Sequence, residues 1–211
     1  MTIQLHLLNA RGNLDAVRER VEIAFSHGVE TLAGLLPIAN VDVIVQANAI
    51  VVPETGMAGY SPWADALYIT IDPANPNLFR DFDTEFLATL GHELHHCMRH
   101  GGPGYGRTLG EALVSEGLAC HFETELRGGI APFYARALDV GTLEAMRARA
   151  HAERNSSYKH RAWFFGSSED GIPKYTGYSV GFSIVAQYIH NCGTPASRLW
   201  DAPAEAFYRV S

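Results

Sequence analysis

The pentapeptide HELHH at residues 92–96 constrains the fold of this 211-residue chain more than any other feature of its sequence. His92 and His96 are four positions apart, so on an α-helix their side chains stack on one face and both imidazoles can reach one metal ion. Glu93 lies about 100° around the helix from His92, a position that suits a base acting on metal-bound water. The preceding residues, FLATLG, favour a buried helix. The motif therefore predicts a metal-binding helix.

A third ligand is expected, because a catalytic zinc site takes three protein ligands and keeps one position for water. A glycine-rich turn follows His96, and the next predicted helix carries Glu116, 20 positions further on. A helix, a tight turn and an antiparallel helix can return this carboxylate to the same ion. Gly117 has no side chain and would let two helices approach closely. The competing carboxylate, Glu111, is about 140° around the helix from Glu116, so the two cannot both face the metal.

Three stretches of the chain resemble known zinc peptidases: TLGHELHH, TLGEALVSEGLACHFE and KYTGYSVGFSIVAQYI. HELHH followed by VSEGLA resembles the gluzincins, which ligate zinc with two histidines and a glutamate. Over roughly residues 40–191 the chain more closely resembles a bacterial family of predicted zinc-dependent proteases, long catalogued as a domain of unknown function. The resemblance implies one Zn²⁺ per chain on His92, His96 and Glu116, with Glu93 as general base and acid.

The other histidines near the motif fit less well as ligands. A metzincin would have glycine at position 99 and histidine at 102, whereas this chain has Arg99 and Gly102. His100 could extend the ligand stripe, but glycines follow it immediately and predict a frayed helix end. His95 occupies the free middle position of the motif, so we expect it to pack or to hydrogen-bond locally.

A tyrosine is a candidate donor to the oxyanion that forms during peptide hydrolysis. Tyr178 lies 62 positions beyond Glu116, and the aminopeptidase branch of the gluzincins has a tyrosine at a comparable distance. Tyr175 is the reserve candidate, and packing is the alternative role for either ring. Thermolysin-like enzymes also have an aspartate four residues after the glutamate ligand. This chain has Cys120 there, so Glu123 or Glu111 would have to orient a ligand instead.

A strand-rich first half precedes a helical second half, which predicts an α+β fold. The sequence predicts strands over residues 3–8, 41–45, 49–52 and 66–71, and helices over about 13–35, 84–100, 109–126, 132–149 and 177–190. We expect one zincin-like, thermolysin-like domain over residues 1–211, with a small mixed sheet packed on a helical half that carries the active-site helix. The strand over residues 66–71 is a candidate sheet edge for substrate binding, with residues 56–60 forming a turn beside it.

Composition excludes several other classes of function. The formal net charge of −7 argues against nucleic-acid binding, and no polybasic run suits an anionic membrane. No apolar stretch is long enough to cross a membrane, and the N-terminal residues lack the pattern of a signal peptide. The three cysteines, an odd and sparse number, favour a reducing compartment. We therefore expect a cytoplasmic location.

The sequence as a whole predicts a zinc-dependent peptidase that hydrolyses peptide bonds through a metal-activated water. Its partner would be a peptide or protein substrate. One alternative is a degenerate metalloprotease fold that serves as a binding or regulatory module, although such proteins generally lose the glutamate or a ligand. The other is a non-peptidase zinc hydrolase with the same site chemistry.

Overall fold

The computed structural model describes residues 2–38 and 40–209, which form an α+β structure with a small mixed sheet. The chain divides into two compact units, Met1–Gly101 and Gly102–Ser211. The single-domain organisation stays a prediction. None of the helices in the described ranges is both long and apolar enough to cross a membrane.

The amino-terminal unit contains a four-stranded sheet. Its strands are β1 (Ile3–Leu8), β2 (Val41–Ala47), β3 (Met57–Tyr60) and β4 (Ala66–Ile71), in the order β1-β2-β4-β3. β1, β2 and β4 are parallel, and β3 runs antiparallel to β4. Val43, Val45 and Ile69 are fully buried, as the alternating pattern of β-branched residues requires.

Two sequence predictions about this sheet were wrong. No strand forms over residues 49–52, because the Asn48 side chain accepts a hydrogen bond from Ile50 N and starts a turn, leaving Val52 with a single bridge to Met57. The predicted turn over residues 56–60 is instead strand β3. Since β3 pairs with β4, β4 is internal, and β3 is one of the two edge strands of the sheet, β1 being the other.

Two helices pack in the same unit, α1 (Arg18–Ala33) and α2 (Phe82–His100). α1 buries Val21, Gly28 and Leu32 at helical spacing, and a side chain at Gly28 would lie only 3.0 Å from Leu90 of α2. The predicted start of α1 at Asn13 was wrong, because turns occupy the preceding residues and the helix begins five residues later. The predicted span of α2 is confirmed.

Helices make up most of the second unit. They are α3 (Leu109–Leu126), α4 (Val140–Glu153), α5 (His160–Phe165) and α6 (Thr176–Cys192), with 3₁₀ turns at Phe133–Arg136, Ala196–Arg198 and Ala204–Tyr208. The predicted helix over 132–149 is split, because Asp139 accepts from Thr142 N and caps a new helix there. α5 lies outside the helices that the sequence predicted.

α3 and α6 cross at two glycines. A Cβ added to Gly117 would lie 2.3 Å from the carbonyl oxygen of Gly181, and one added to Gly181 would lie 2.2 Å from that of Leu113. Neither position can accept a side chain while the helix backbones remain this close. The expected role of Gly117 in close helix packing is confirmed, and the crossing fixes α3 and α6 relative to each other.

Candidate metal centre

Two buried histidines of α2 direct their rings towards the same point. The Nε2 atoms of His92 and His96 are 3.0 Å apart, and the two rings meet edge to face. Only 8% of His92 and 4% of His96 is exposed. Two imidazole nitrogens bound to one tetrahedral zinc ion at about 2.0–2.1 Å would be separated by roughly 3.3 Å. This pair therefore fits two ligands of a single zinc ion.

The carboxylate of Glu93 is held by residues at the end of β3. The Ser61 hydroxyl lies 2.8 Å from Glu93 Oε2, to which it donates, and 2.8 Å from the Glu93 backbone carbonyl oxygen. Gly59 lies directly against the same side chain, since a Cβ there would be 2.3 Å from Oε1 and 2.5 Å from Cγ. Glu93 is buried, with 5% of its surface exposed. Its carboxylate can therefore occupy this position only because residue 59 has no side chain.

Ser61 is also bonded through its backbone. His100 Nε2 donates to the Ser61 carbonyl oxygen over 3.0 Å, and burial lowers the pKa of this histidine. The Cys97 thiol lies 3.7 Å from Ser61 Oγ, and burial raises its pKa to about 12. His100 thus helps to hold the residue that bonds Glu93, and Cys97 is a buried thiol beside it.

In the second unit, the carboxylate of Glu116 accepts a hydrogen bond from a tyrosine. Tyr105 Oη donates to Glu116 Oε1 over 2.6 Å, and only 5% of Glu116 is exposed. Burial, followed by the neighbouring Glu116 charge, raises the pKa of Tyr105 well above its ordinary value. The hydrogen bond from Tyr105 is therefore made to one particular oxygen of this carboxylate, Oε1.

The competing carboxylate, Glu111, closes the amino-terminal end of α3. Its Oε2 accepts from the backbone nitrogens of Arg107 and Thr108, and the Thr108 side chain accepts from Glu111 N in return. This capping box satisfies amide groups that the first turn of the helix leaves without partners. The hydrogen bonds also lower the pKa of Glu111. Glu111 therefore has a structural role at the helix end.

Glu123 is a second buried carboxylate on α3. Tyr134 Oη donates to its Oε1, and Arg127 Nε lies 3.5 Å from its Oε2. Cys120, one turn away, is fully buried, and burial raises the pKa of its thiol well above the ordinary value. That Glu123 orients a zinc ligand stays a prediction.

The two candidate tyrosines differ in their surroundings. Tyr175 is buried at the start of α6 with a positive φ of 65°, and the Lys174 ammonium lies 4.3 Å from the centre of its ring. Tyr178 is half-buried, with its ring against those of Tyr134 and Phe164, at 4.9 and 5.0 Å. The greater exposure of Tyr178 agrees better with a group that meets a substrate.

Three residues that contact the predicted ones were not predicted from the sequence: Gly59, Ser61 and Tyr105. Gly59 and Ser61 lie on a segment predicted as a turn, 34 and 32 positions before Glu93, and no local pattern links them to it. Tyr105 could have been identified from the sequence, because it is a single aromatic residue between two glycines in the turn before α3.

The described residues thus include buried histidine, glutamate and cysteine side chains in groups that could hold a metal ion. With the α+β architecture, they define a protein with a candidate metal centre. A family model for predicted Zn-dependent proteases (DUF2268) matches residues 23–209, and the chain belongs to this family. Searches of curated proteins and of solved structures found no significant match.

Proposed function

We propose that this protein is a zinc-dependent peptidase of the gluzincin type with a zincin-like fold, and that His92, His96 and Glu116 bind its metal. The observation that carries the proposal is the buried pair of Nε2 atoms, 3.0 Å apart, on the helix that also carries the buried Glu93. Membership of a family of predicted Zn-dependent proteases supports it. Two imidazoles and one carboxylate are a usual ligand set for catalytic zinc.

Two groups of three buried residues are candidates for the proposed ligand set: His92, His96 and Glu116, and His92, Cys120 and Glu123. The first group is the better zinc site for two reasons. The second group leaves out His96, although its Nε2 atom lies 3.0 Å from that of His92. The carboxylate of Glu123 already has a tyrosine donor on one oxygen and an arginine beside the other.

Zinc bound by these ligands would polarise a substrate carbonyl group and lower the pKa of a water molecule. Glu93 would act as general base and then as general acid. Its carboxylate would accept a proton from the attacking water and deliver it to the nitrogen of the leaving amine. The hydroxyl of Ser61 would keep the carboxylate in one orientation during both transfers. Tyr178 would donate a hydrogen bond to the oxyanion that develops on the substrate.

The peptide substrate would bind as an extra strand beside β3. A sheet edge offers unpaired backbone groups to an extended peptide, and β3 is the edge strand that lies beside Glu93. Gly59 of this strand lies against Glu93, so a peptide on β3 would pass close to the proposed base. The three cysteines are free, which agrees with the proposed cytoplasmic location.

Metal content and hydrolysis measured in parallel test the proposal. We expect one zinc per chain in the purified wild type, and its loss in His92→Ala, His96→Ala and Glu116→Ala. Glu93→Gln removes the base but no ligand, so it should keep zinc and lose hydrolysis of a peptide library. Equal zinc loss in Glu93→Gln and His96→Ala would overturn the assignment. A zinc-loaded wild type that cleaves no peptide would indicate a binding module instead, and one that cleaves only non-peptide substrates a different hydrolase.

A further inference from the structure

The turn before α3 holds one tyrosine between two glycines in conformations that other residues rarely adopt. φ is +91° at Gly104 and +125° at Gly106. At Gly106 an added Cβ would also lie 2.3 Å from the Cβ of Glu111 and 2.9 Å from Ala112 N. Glycine is therefore required there for steric as well as conformational reasons. These two residues set the path of the backbone at Tyr105.

α3 binds Tyr105 through both its backbone and its side chain. Ser115 Oγ donates to the Tyr105 carbonyl oxygen over 2.6 Å, and Tyr105 Oη donates to Glu116 Oε1 over 2.6 Å. Ser115 and Glu116 are adjacent residues, both buried. A hydrogen bond to an ionised carboxylate is stronger than one between neutral groups, and it is stronger still when water is excluded. The contacts therefore hold the carboxylate of Glu116 in one orientation.

We propose that Tyr105 is a positioning residue for the metal centre, which binds Glu116 Oε1 so that Glu116 ligates the ion through Oε2 alone. The inference rests on the proposed function of Glu116 as a ligand. A carboxylate has two equivalent oxygens and can bind a metal through one or both. Because the Tyr105 hydroxyl already donates to Oε1, the carboxylate is set to bind through the other oxygen before the ion arrives. Partners of this kind strengthen metal binding without touching the metal.

Zinc affinity, measured by competition with a chromophoric chelator, tests the proposal without relying on activity. Tyr105→Phe removes the hydroxyl and keeps the ring, and we expect the dissociation constant for zinc to rise roughly 10- to 100-fold. Tyr158→Phe is the matched control. Tyr158 is a half-buried tyrosine whose pKa is raised to about 12 by burial and then by the Glu116 charge, yet its hydroxyl makes no hydrogen bond within the described residues. Its variant should keep the wild-type affinity.

A double variant separates positioning of the carboxylate from general support of the loop. In a Glu116→Ala background, the weak residual zinc binding should not fall further when Tyr105→Phe is added. An equal loss in both backgrounds would overturn the proposal, as would equal losses in Tyr105→Phe and Tyr158→Phe. A folded Tyr105→Phe protein with wild-type zinc affinity would also overturn it while leaving Glu116 as a ligand. If Glu116→Ala itself keeps zinc at full affinity, the proposed ligand set is what fails.

Discussion

An alanine at position 59 would put a methyl group where the carboxylate of Glu93 now lies. The added Cβ would be 2.3 Å from Oε1, 2.5 Å from Cγ and 2.6 Å from Cδ of Glu93. Gly59 does not have a positive φ, so alanine suits its backbone conformation. The substitution should therefore act on the Glu93 side chain and leave the strand itself able to form.

The expected size of the effect follows from these distances. Ordinary van der Waals contacts of a Cβ begin at about 3.4 Å, so the Glu93 carboxylate must move by about 1 Å. A displacement of about 1 Å in catalytic geometry can cost about 10²-fold in rate. That loss corresponds to about 2.7 kcal/mol of transition-state stabilisation. We expect kcat of Gly59→Ala to fall about 100-fold.

Steady-state hydrolysis of a peptide found by library digestion would measure kcat and KM. Zinc content should stay at the wild-type level, because Glu93 is not a proposed ligand. Gly34→Ala is the matched control, since no described atom lies within 4 Å of a Cβ added there and the residue has helical dihedral angles. The thermal midpoint of each variant would check that it is folded.

A folded Gly59→Ala protein that contains zinc and has wild-type kcat would refute this reasoning. Glu93 could not then be the base in the orientation that the structure has. Loss of zinc together with activity would contradict the proposal that Glu93 acts as the base and is not a zinc ligand. A rise in KM with kcat unchanged would instead assign Gly59 to substrate binding beside β3.

Three further predictions concern the Ser61 hydroxyl, the two candidate tyrosines and the Glu111 carboxylate. Ser61→Ala should lower kcat about 10-fold with zinc retained, and Ser61→Thr, which keeps the hydroxyl, should restore most of it if the donation to Glu93 is what matters. Tyr178→Phe should keep fold and zinc and lower kcat and kcat/KM together by roughly 10²-fold, whereas Tyr175→Phe should change neither; the opposite result would assign the donor to Tyr175. The folded-state pKa of Glu111 lies below its unfolded value, so its stabilisation is complete at neutral pH and is lost as the pH falls through the lowered pKa. Urea unfolding at pH 7 and pH 3 should therefore show that Glu111→Gln destabilises the protein less at the lower pH, and an equal effect at both values would contradict the capping role.

Some features could be predicted from sequence because they depend on local geometry. The spacing of His92 and His96 brings two nitrogens together on any α-helix, and the structure has them 3.0 Å apart. The bounds of α3 followed from a largely apolar stretch, and the close packing at Gly117 followed from a residue without a side chain. Helix phase predicted that Glu111 and Glu116 cannot both face one ion, and the capping role of Glu111 agrees with this.

Other features were mispredicted because several local signals compete. Residues 49–52 are β-branched enough for a strand, but the side chain of Asn48 binds the backbone and starts a turn. Residues 57–60 include a glycine and were predicted to lie in a turn, yet they pair with β4 as an edge strand. Whether such a short segment forms a strand depends on its pairing with a neighbouring strand and not on the propensity of its own residues.

The sequence by itself determined the α+β class, the histidine pair, the position of Glu93 beside it and the helix that carries Glu116, since all of these depend on residues within a few turns of one another. The tertiary structure decided what surrounds them. Gly59 and Ser61 meet Glu93 only after β3 joins the sheet, more than 30 positions away in sequence. Tyr105 meets Glu116 only because two glycines turn the chain back onto α3. Contacts between distant segments depend on how secondary-structure elements pack, and that packing has no periodic signal in the sequence of either partner.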